Sequence, residues 1–152
     1  MSSGKPNDEM PAELVAFLTG GRLVVASTVD AEGLPYTMVM NSAVAFDAHT
    51  IRFALDRRTH SLKNIEANGT MMFEIIGNGF IYGVRGAARV LREQMEHAPI
   101  PSALIEVSVE TVKSDLPPGV QVTAPQFEWA ALGQYMTPIE PAMFEELRTY
   151  AR

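Results

Sequence analysis

The chain has 152 residues and no cysteine. That excludes disulfides, a thiol nucleophile and every cysteine-based zinc or iron–sulfur site. Its three histidines, His49, His60 and His97, lie far apart in the sequence, and no metal site is expected from them. There is no G-x-S-x-G turn for a serine hydrolase and no Walker A loop. Gly77, Gly79 and Gly83 lie between two strand-like runs, whereas a dinucleotide fingerprint needs a strand followed by a helix, so they read as turn chemistry. No apolar run approaches the ~20 residues that cross a bilayer, so no membrane partner is expected. Positive charge is the minority sign, 12 Lys and Arg against 18 Asp and Glu, for a formal net charge of −6. That balance argues against nucleic acid or an anionic membrane as a partner. The opening stretch, MSSGKPNDEMP, lacks the apolar core of a secretion signal. Residues 1–10 therefore read as a flexible polar tail on a cytoplasmic protein.

What is present describes an ordinary globular chain, 47% hydrophobic and 20% charged. One domain over residues 11–152 is expected, with enough chain to bury a core. Residues 11–18 (PAELVAFL) carry Leu14, Val15, Phe17 and Leu18 at helical spacing, and Gly20-Gly21 stops them. Residues 22–29 read as a β-branched strand, followed by a turn at residues 30–33. Residues 36–46 alternate without a break, placing Tyr36, Met38, Met40, Ser42, Val44 and Phe46 on one face of a single long strand. Residues 51–55 form the next strand. Thr59 or Ser61 can then cap a short helix that Asn68-Gly69 ends. Two strands, 71–76 and 80–91, flank the Gly77-Asn78-Gly79 hairpin signal, and 103–112 is the sixth strand. An irregular segment follows over about 116–126, and a last helix over about 141–150 carries Met143, Phe144, Leu147 and Tyr150. The prediction is a mainly β fold: six strands in a closed or nearly closed antiparallel barrel, with a short helix after strand 3 and helices at both termini.

One stretch stands against the acidic balance. Arg57, Arg58 and Lys63, with His60 among them, fall at the junction between the third strand and the short helix, and no acid lies between Arg57 and Lys63. A phosphate monoester carries roughly −1.5 to −2 charges and three strong acceptor oxygens. Charge-assisted bonds from Lys or Arg, hydroxyl donors and free N–H groups at a helix start are what hold such a group. Residues 57–63 supply all three kinds of donor. Solvation of an exposed loop is the alternative reading of the same charges.

Three motifs occur in order. They are Gly33-Leu34-Pro35-Tyr36 ahead of the second strand, Thr59-His60-Ser61-Leu62-Lys63-Asn64-Ile65 in the basic stretch, and Val84-Arg85-Gly86-Ala87-Ala88-Arg89-Val90 in the fifth strand. Their order and spacing, over about residues 20–112, resemble the FMN-binding split barrel of the pyridoxamine 5′-phosphate oxidase-like superfamily. Asn41-Ser42 and Glu66-Ala67-Asn68 are similar to the small bacterial FMN-binding proteins of that superfamily.

The resemblance implies a six-stranded antiparallel split barrel of Greek-key type, with FMN as cofactor, in a homodimer with flavin at the interface. Ser61 and Lys63 match the phosphate ligands, with Arg58 and Thr59 close enough to join them. Val39, Met40, Asn41 and Ser42 match the strand that runs along the isoalloxazine ring, where an edge offers N–H and C=O groups to the flavin. Trp129, with Phe127 and Tyr135 nearby, could cap a flavin from the neighbouring chain or dock the terminal segment. No catalytic residue is identified.

Departures from the pattern narrow the reading. Met38 and Ala43 stand where the oxidases have Arg and Lys, and Ile81 stands near an expected Gln. No Arg or His after residue 127 matches the pair that holds the vitamin substrate. Oxidation of pyridoxamine phosphate is therefore not expected. Three readings stay open. One is an FMN-dependent oxidoreductase acting on a small-molecule substrate or electron donor. The second is a non-enzymatic FMN-binding electron carrier or flavin store. The third is a split barrel for another cofactor, such as a deazaflavin or haem.

Overall fold

A computed structural model of the chain describes residues 7–151. The elements are α1 (Ala12–Phe17), β1 (Val24–Val29), β2 (Pro35–Met40), β3 (Val44–Asp47), β4 (Thr50–Asp56) and α2 (His60–Ala67). They continue through β5 (Thr70–Ile76), β6 (Ile81–Arg92), β7 (Ser102–Ser114) and α3 (Glu140–Thr149). The seven strands form one sheet in the order β2-β1-β5-β6-β7-β4-β3, and every strand pair is antiparallel. The two outermost strands of that order are consecutive in the chain, linked by residues 41–43. The chain thus joins the sheet's two edges, as a split barrel requires.

The strand count differs from the expected six because the run over residues 36–46 breaks at residues 41–43. Its first half pairs with β1, ending at Met40 opposite Val24; its second half pairs with β4, beginning at Val44 opposite Arg52. The reason is a set of local hydrogen bonds that alternation does not reveal. The hydroxyl of Ser42 accepts from the Ala54 amide (3.0 Å) and donates to the Ala54 carbonyl (3.3 Å). Gly20 N–H donates to the Ala43 carbonyl and Gly21 N–H to the Asn41 carbonyl. Gly20 has φ of +89°, and a Cβ there would lie 2.6 Å from the Phe144 ring. Only glycine meets both demands.

Two apolar cores result. The barrel interior holds Leu14, Val24, Ile51, Phe53, Met71, Phe73, Ile75 and Ile105. A second core, of Val44, Met95, Leu104, Met143 and Leu147, lies where α3 packs on β3 and β4. Both faces of β4 are therefore covered, and Arg52, between Ile51 and Phe53, is fully buried. Its Nε donates to Glu106 Oε2 (3.0 Å), and its Nη2 is paired with the same oxygen at 2.9 Å. Its Nη1 donates to the carbonyls of Leu147 (3.1 Å) and Tyr150 (2.8 Å) at the end of α3. The guanidinium also lies 3.8 Å from the Phe46 ring centroid. Glu106, directly opposite Arg52 in the β4–β7 ladder, receives Arg89 on its other oxygen at 3.0 Å.

Residues 1–6 of the expected tail lie outside the described residues. Residues 7–10 are held: Met10 is buried, its N–H donates to the Ala48 carbonyl, and the Asn7 carbonyl accepts from Val112. The terminal helix forms one residue earlier than its expected start, with Pro141 in its first turn.

Removing one partner of a buried ion pair leaves a charge without compensation, which costs about 3–5 kcal/mol. Glu106→Ala is expected to lower unfolding stability by that amount in urea titrations, with loss of α3 docking as the accompanying change.

Candidate functional site

The basic stretch and the start of β2 meet in a cleft of about 460 Å³, within the usual ~300–1,000 Å³ of small-molecule sites. Asp30, Glu32 and Tyr36 line it from the β1–β2 side, and His60, Lys63 and Asn64 from α2. The His60 ring stacks on Tyr36, with centroids 5.8 Å apart and planes at 26°. Both rings are exposed, as is the Lys63 side chain. Among the described residues Lys63 has no hydrogen-bond or ion-pair partner, so its three donors face the cleft and solvent.

Helix α2 is fixed against β1 by two asparagines. Asn64 Nδ2 donates to Thr28 Oγ1 (3.0 Å), both residues being buried, and Asn68 Nδ2 donates to the Val29 carbonyl (3.0 Å). Of the two capping candidates the helix uses Thr59, whose Oγ1 accepts from the Leu62 amide (3.3 Å) and donates to the Asp56 carbonyl (2.9 Å). Asp30 Oδ1 accepts from the amides of Glu32 and Leu34 (both 2.9 Å), shaping the turn that brings Tyr36 to the cleft.

The expected cofactor residues divide by environment. Lys63 lines the cleft. Arg58 lies outside its lining and is exposed, with Nη2 2.8 Å from Asp56 Oδ2 and Nε 3.1 Å from Asp56 Oδ1. The hydrogen bonds from Arg58 hold the Asp56 carboxyl below its ordinary range, and Asp56 in return raises the guanidinium. Ser61 is buried on the inner side of α2 with Leu62 and Ile65. On the second strand, Val39 is 62% exposed, Met40 and Asn41 are half-buried, and Ser42 is buried with its hydroxyl engaged by Ala54. Strand β2 pairs only with β1, so its other edge offers unpaired backbone groups. Trp129, half-buried, donates to Glu140 and meets Phe127 edge-on at 5.7 Å, which ties this aromatic group to the start of α3.

Tyr36, His60 and Asn64 were not among the sequence-derived cofactor residues, although each lies within a motif that was. An exposed aromatic at the start of an edge strand, set against a histidine at a helix start, is the pattern that points to them. Among the described residues no group of three or more His, Asp or Glu is placed to hold a metal, and no helix is long and apolar enough to cross a membrane.

Comparison with known proteins gives one family. The sequence model described as pyridoxamine 5′-phosphate oxidase matches residues 10–130. No curated protein matches the chain. Among solved structures, HupZ of Group A Streptococcus is 22% identical, with a TM-score of 0.61 over 74% of this chain and 99% of its own. An F420 reductase is 17% identical, with a TM-score of 0.58 over 68% of this chain and 98% of its own. HutZ, the haem storage protein of Vibrio cholerae, is 12% identical, with a TM-score of 0.54 over 70% of this chain and 94% of its own. At these identities the likeness is one of fold.

The buried Asn64–Thr28 bond is the anchor that sets Lys63 beside Tyr36. Asn64→Ala leaves Thr28 unpaired and is expected to cost about 1–3 kcal/mol of stability in chemical denaturation. Asn64→Asp, close in shape, separates loss of the bond from loss of volume.

Proposed function

Because the chain belongs to the pyridoxamine 5′-phosphate oxidase family, we propose that it is an FMN-binding flavoprotein of oxidoreductase type, working as a homodimer with flavin at the interface. The observation that carries this reading is Lys63, exposed and without a partner among the described residues, in a cleft bordered by an aromatic pair and beside an edge strand. A phosphate needs a cation that is free to meet it. A flat heteroaromatic ring needs a flat surface and a row of backbone donors and acceptors. The cleft and the β2 edge supply both kinds of group, so the residues present fit FMN.

In this reading Lys63 contacts the phosphate, and Arg58 joins when it turns from Asp56. The β2 edge over Val39, Met40 and Asn41 lies along the ring. Ser42, Thr59 and Ser61 frame the site: Ser42 fixes the end of β2, Thr59 caps α2, and Ser61 seats the helix. FMN, when bound, accepts a hydride or electrons from a small-molecule donor. The chain's own part is to bind, orient and shield. Asp30 and Glu32, on the turn side of the cleft, repel an anion there, so Lys63 marks the end at which a phosphate would sit.

The likeness to a haem storage protein and to an F420 reductase makes the cofactor the point to test. The purified protein is expected to show a flavin spectrum and to release FMN on denaturation; a haem or deazaflavin spectrum overturns the assignment. Lys63→Ala is expected to weaken FMN binding by about 1–3 kcal/mol in a fluorescence-quenching titration. Unchanged affinity removes Lys63 from the phosphate site. Rapid bleaching with NADH or NADPH, followed by turnover with an added acceptor, distinguishes an enzyme from a carrier.

A further inference from the structure

The cleft beside Lys63 has a direction, set by strand β2. That strand runs from Pro35 to Met40, and the edge assigned to the flavin ring, over Val39, Met40 and Asn41, lies at its far end. Tyr36, at its near end, borders the cleft together with Lys63. Three residues of strand, about 10 Å, separate Val39 from Tyr36, a span that a ribityl arm and its phosphate can cover. Beyond Tyr36 lies the β1–β2 turn, and two of its residues, Asp30 and Glu32, line the same cleft.

These carboxylates are held in place. Asp30 Oδ1 accepts from the amides of Glu32 and Leu34, both at 2.9 Å. The Asp30 N–H donates to the Leu34 carbonyl, and its carbonyl accepts from Gly33, whose φ of +85° closes the turn. The two residues just before Asp30 are tied to α2: Thr28 through Asn64 and the Val29 carbonyl through Asn68, each at 3.0 Å. The helix that carries Lys63 and the turn that carries the acids are therefore fastened together, and the fold sets the spacing between cation and acids. Their charges are not paired with one another. Among the described residues neither Asp30, Glu32 nor Lys63 has an ion-pair partner, although all three line one cleft. Toward an anion, two such carboxylates can only repel.

We propose that the Asp30–Glu32 turn is a tail filter: the cleft takes a flavin that ends at its phosphate and turns away flavins and deazaflavins whose anionic chain continues past it. The proposal rests on the FMN reading above and deepens it by giving the turn a part in cofactor choice. What differs among these ligands is where the charge sits. FMN places its negative charge, roughly −1.5 to −2, on one terminal phosphate, beside Lys63. In FAD the first phosphate is a diester with a single charge, so Lys63 attracts it less. The second phosphate comes next along the line and meets two carboxylates. A deazaflavin whose phosphodiester leads on to carboxylates meets the same obstacle. Like charges about 4 Å apart repel enough in water to lower affinity about fivefold each, and more where water is partly excluded.

The turn's own hydrogen bonds make the charge separable from the shape. Asparagine keeps the side-chain oxygen that the Glu32 and Leu34 amides need, and Glu32 is exposed. The double variant Asp30→Asn/Glu32→Gln thus removes both charges and retains the turn. The test is calorimetric titration of the full chain with FMN, FAD and the methyl ester of FMN, whose phosphate carries one charge and no anionic tail. In the double variant the affinity for FAD is expected to rise about tenfold relative to the ester. Glu32→Gln alone, which touches none of the turn's bonds, is expected to shift the ratio in the same direction by less. A ratio that the substitutions leave unchanged, or equal gains for FAD and the ester, overturns the tail filter and leaves the FMN reading standing. Absence of FMN binding to the unaltered protein overturns that reading and the filter with it.

Discussion

The buried guanidinium of Arg52 is the constraint around which the outside of the barrel is arranged. A cation removed from water costs several kcal/mol unless its donors are matched. Here the matching groups come from distant parts of the chain: Glu106 on β7, and the carbonyls of Leu147 and Tyr150 at the end of α3. Those carbonyls are among the helix-end acceptors that no intrahelical donor reaches, and a cation at that end also suits the helix dipole. One side chain thus answers a need of the sheet and a need of the helix. The consequence is positional. Helix α3 is held over β3 and β4, while α2 packs on β1 and β6.

The second constraint is the corner at residues 41–43. Because Ser42 is captured by Ala54 and the Gly20-Gly21 turn holds the carbonyls of Asn41 and Ala43, the chain leaves β1 and pairs with β4. Strand β2 is thereby left with one free edge, near which α2 places Lys63 and His60. The cleft is a product of that corner, and of two asparagines that tie α2 to β1.

Most of the fold was legible because its signals are local. Alternation marked the strands, Gly77-Asn78-Gly79 marked a hairpin, and Thr59 was one of two caps named for α2. The break in the long strand was not legible, since nothing in the alternation of residues 36–46 shows that Ser42 faces Ala54, twelve positions away. Arg52 misleads in the same way. In an alternating strand it reads as a solvent-facing residue, and only the docking of α3, almost a hundred residues later, makes it interior. For the site, spacing found the correct stretch of chain but could not sort its side chains. Helix geometry turns Ser61 inward and Lys63 outward although they are two residues apart, because two steps on a helix face nearly opposite directions. Tyr36 and His60 meet because α2 packs on β1, the neighbour of β2.

The state of Arg58 bears on how a phosphate could be held in so acidic a protein. Its bidentate contact with Asp56 is solvent-exposed, and such pairs are weak because water and salt screen them. A phosphate offers more charge than one carboxylate and more acceptor oxygens. In competition for one exposed guanidinium, the dianion has the stronger pull, provided Lys63 already holds it nearby. Before any anion arrives, Asp56 neutralises Arg58 and keeps the fork in a single orientation. In the proposed reading the acid next to the basic stretch is a placeholder, which an incoming phosphate would displace from Arg58.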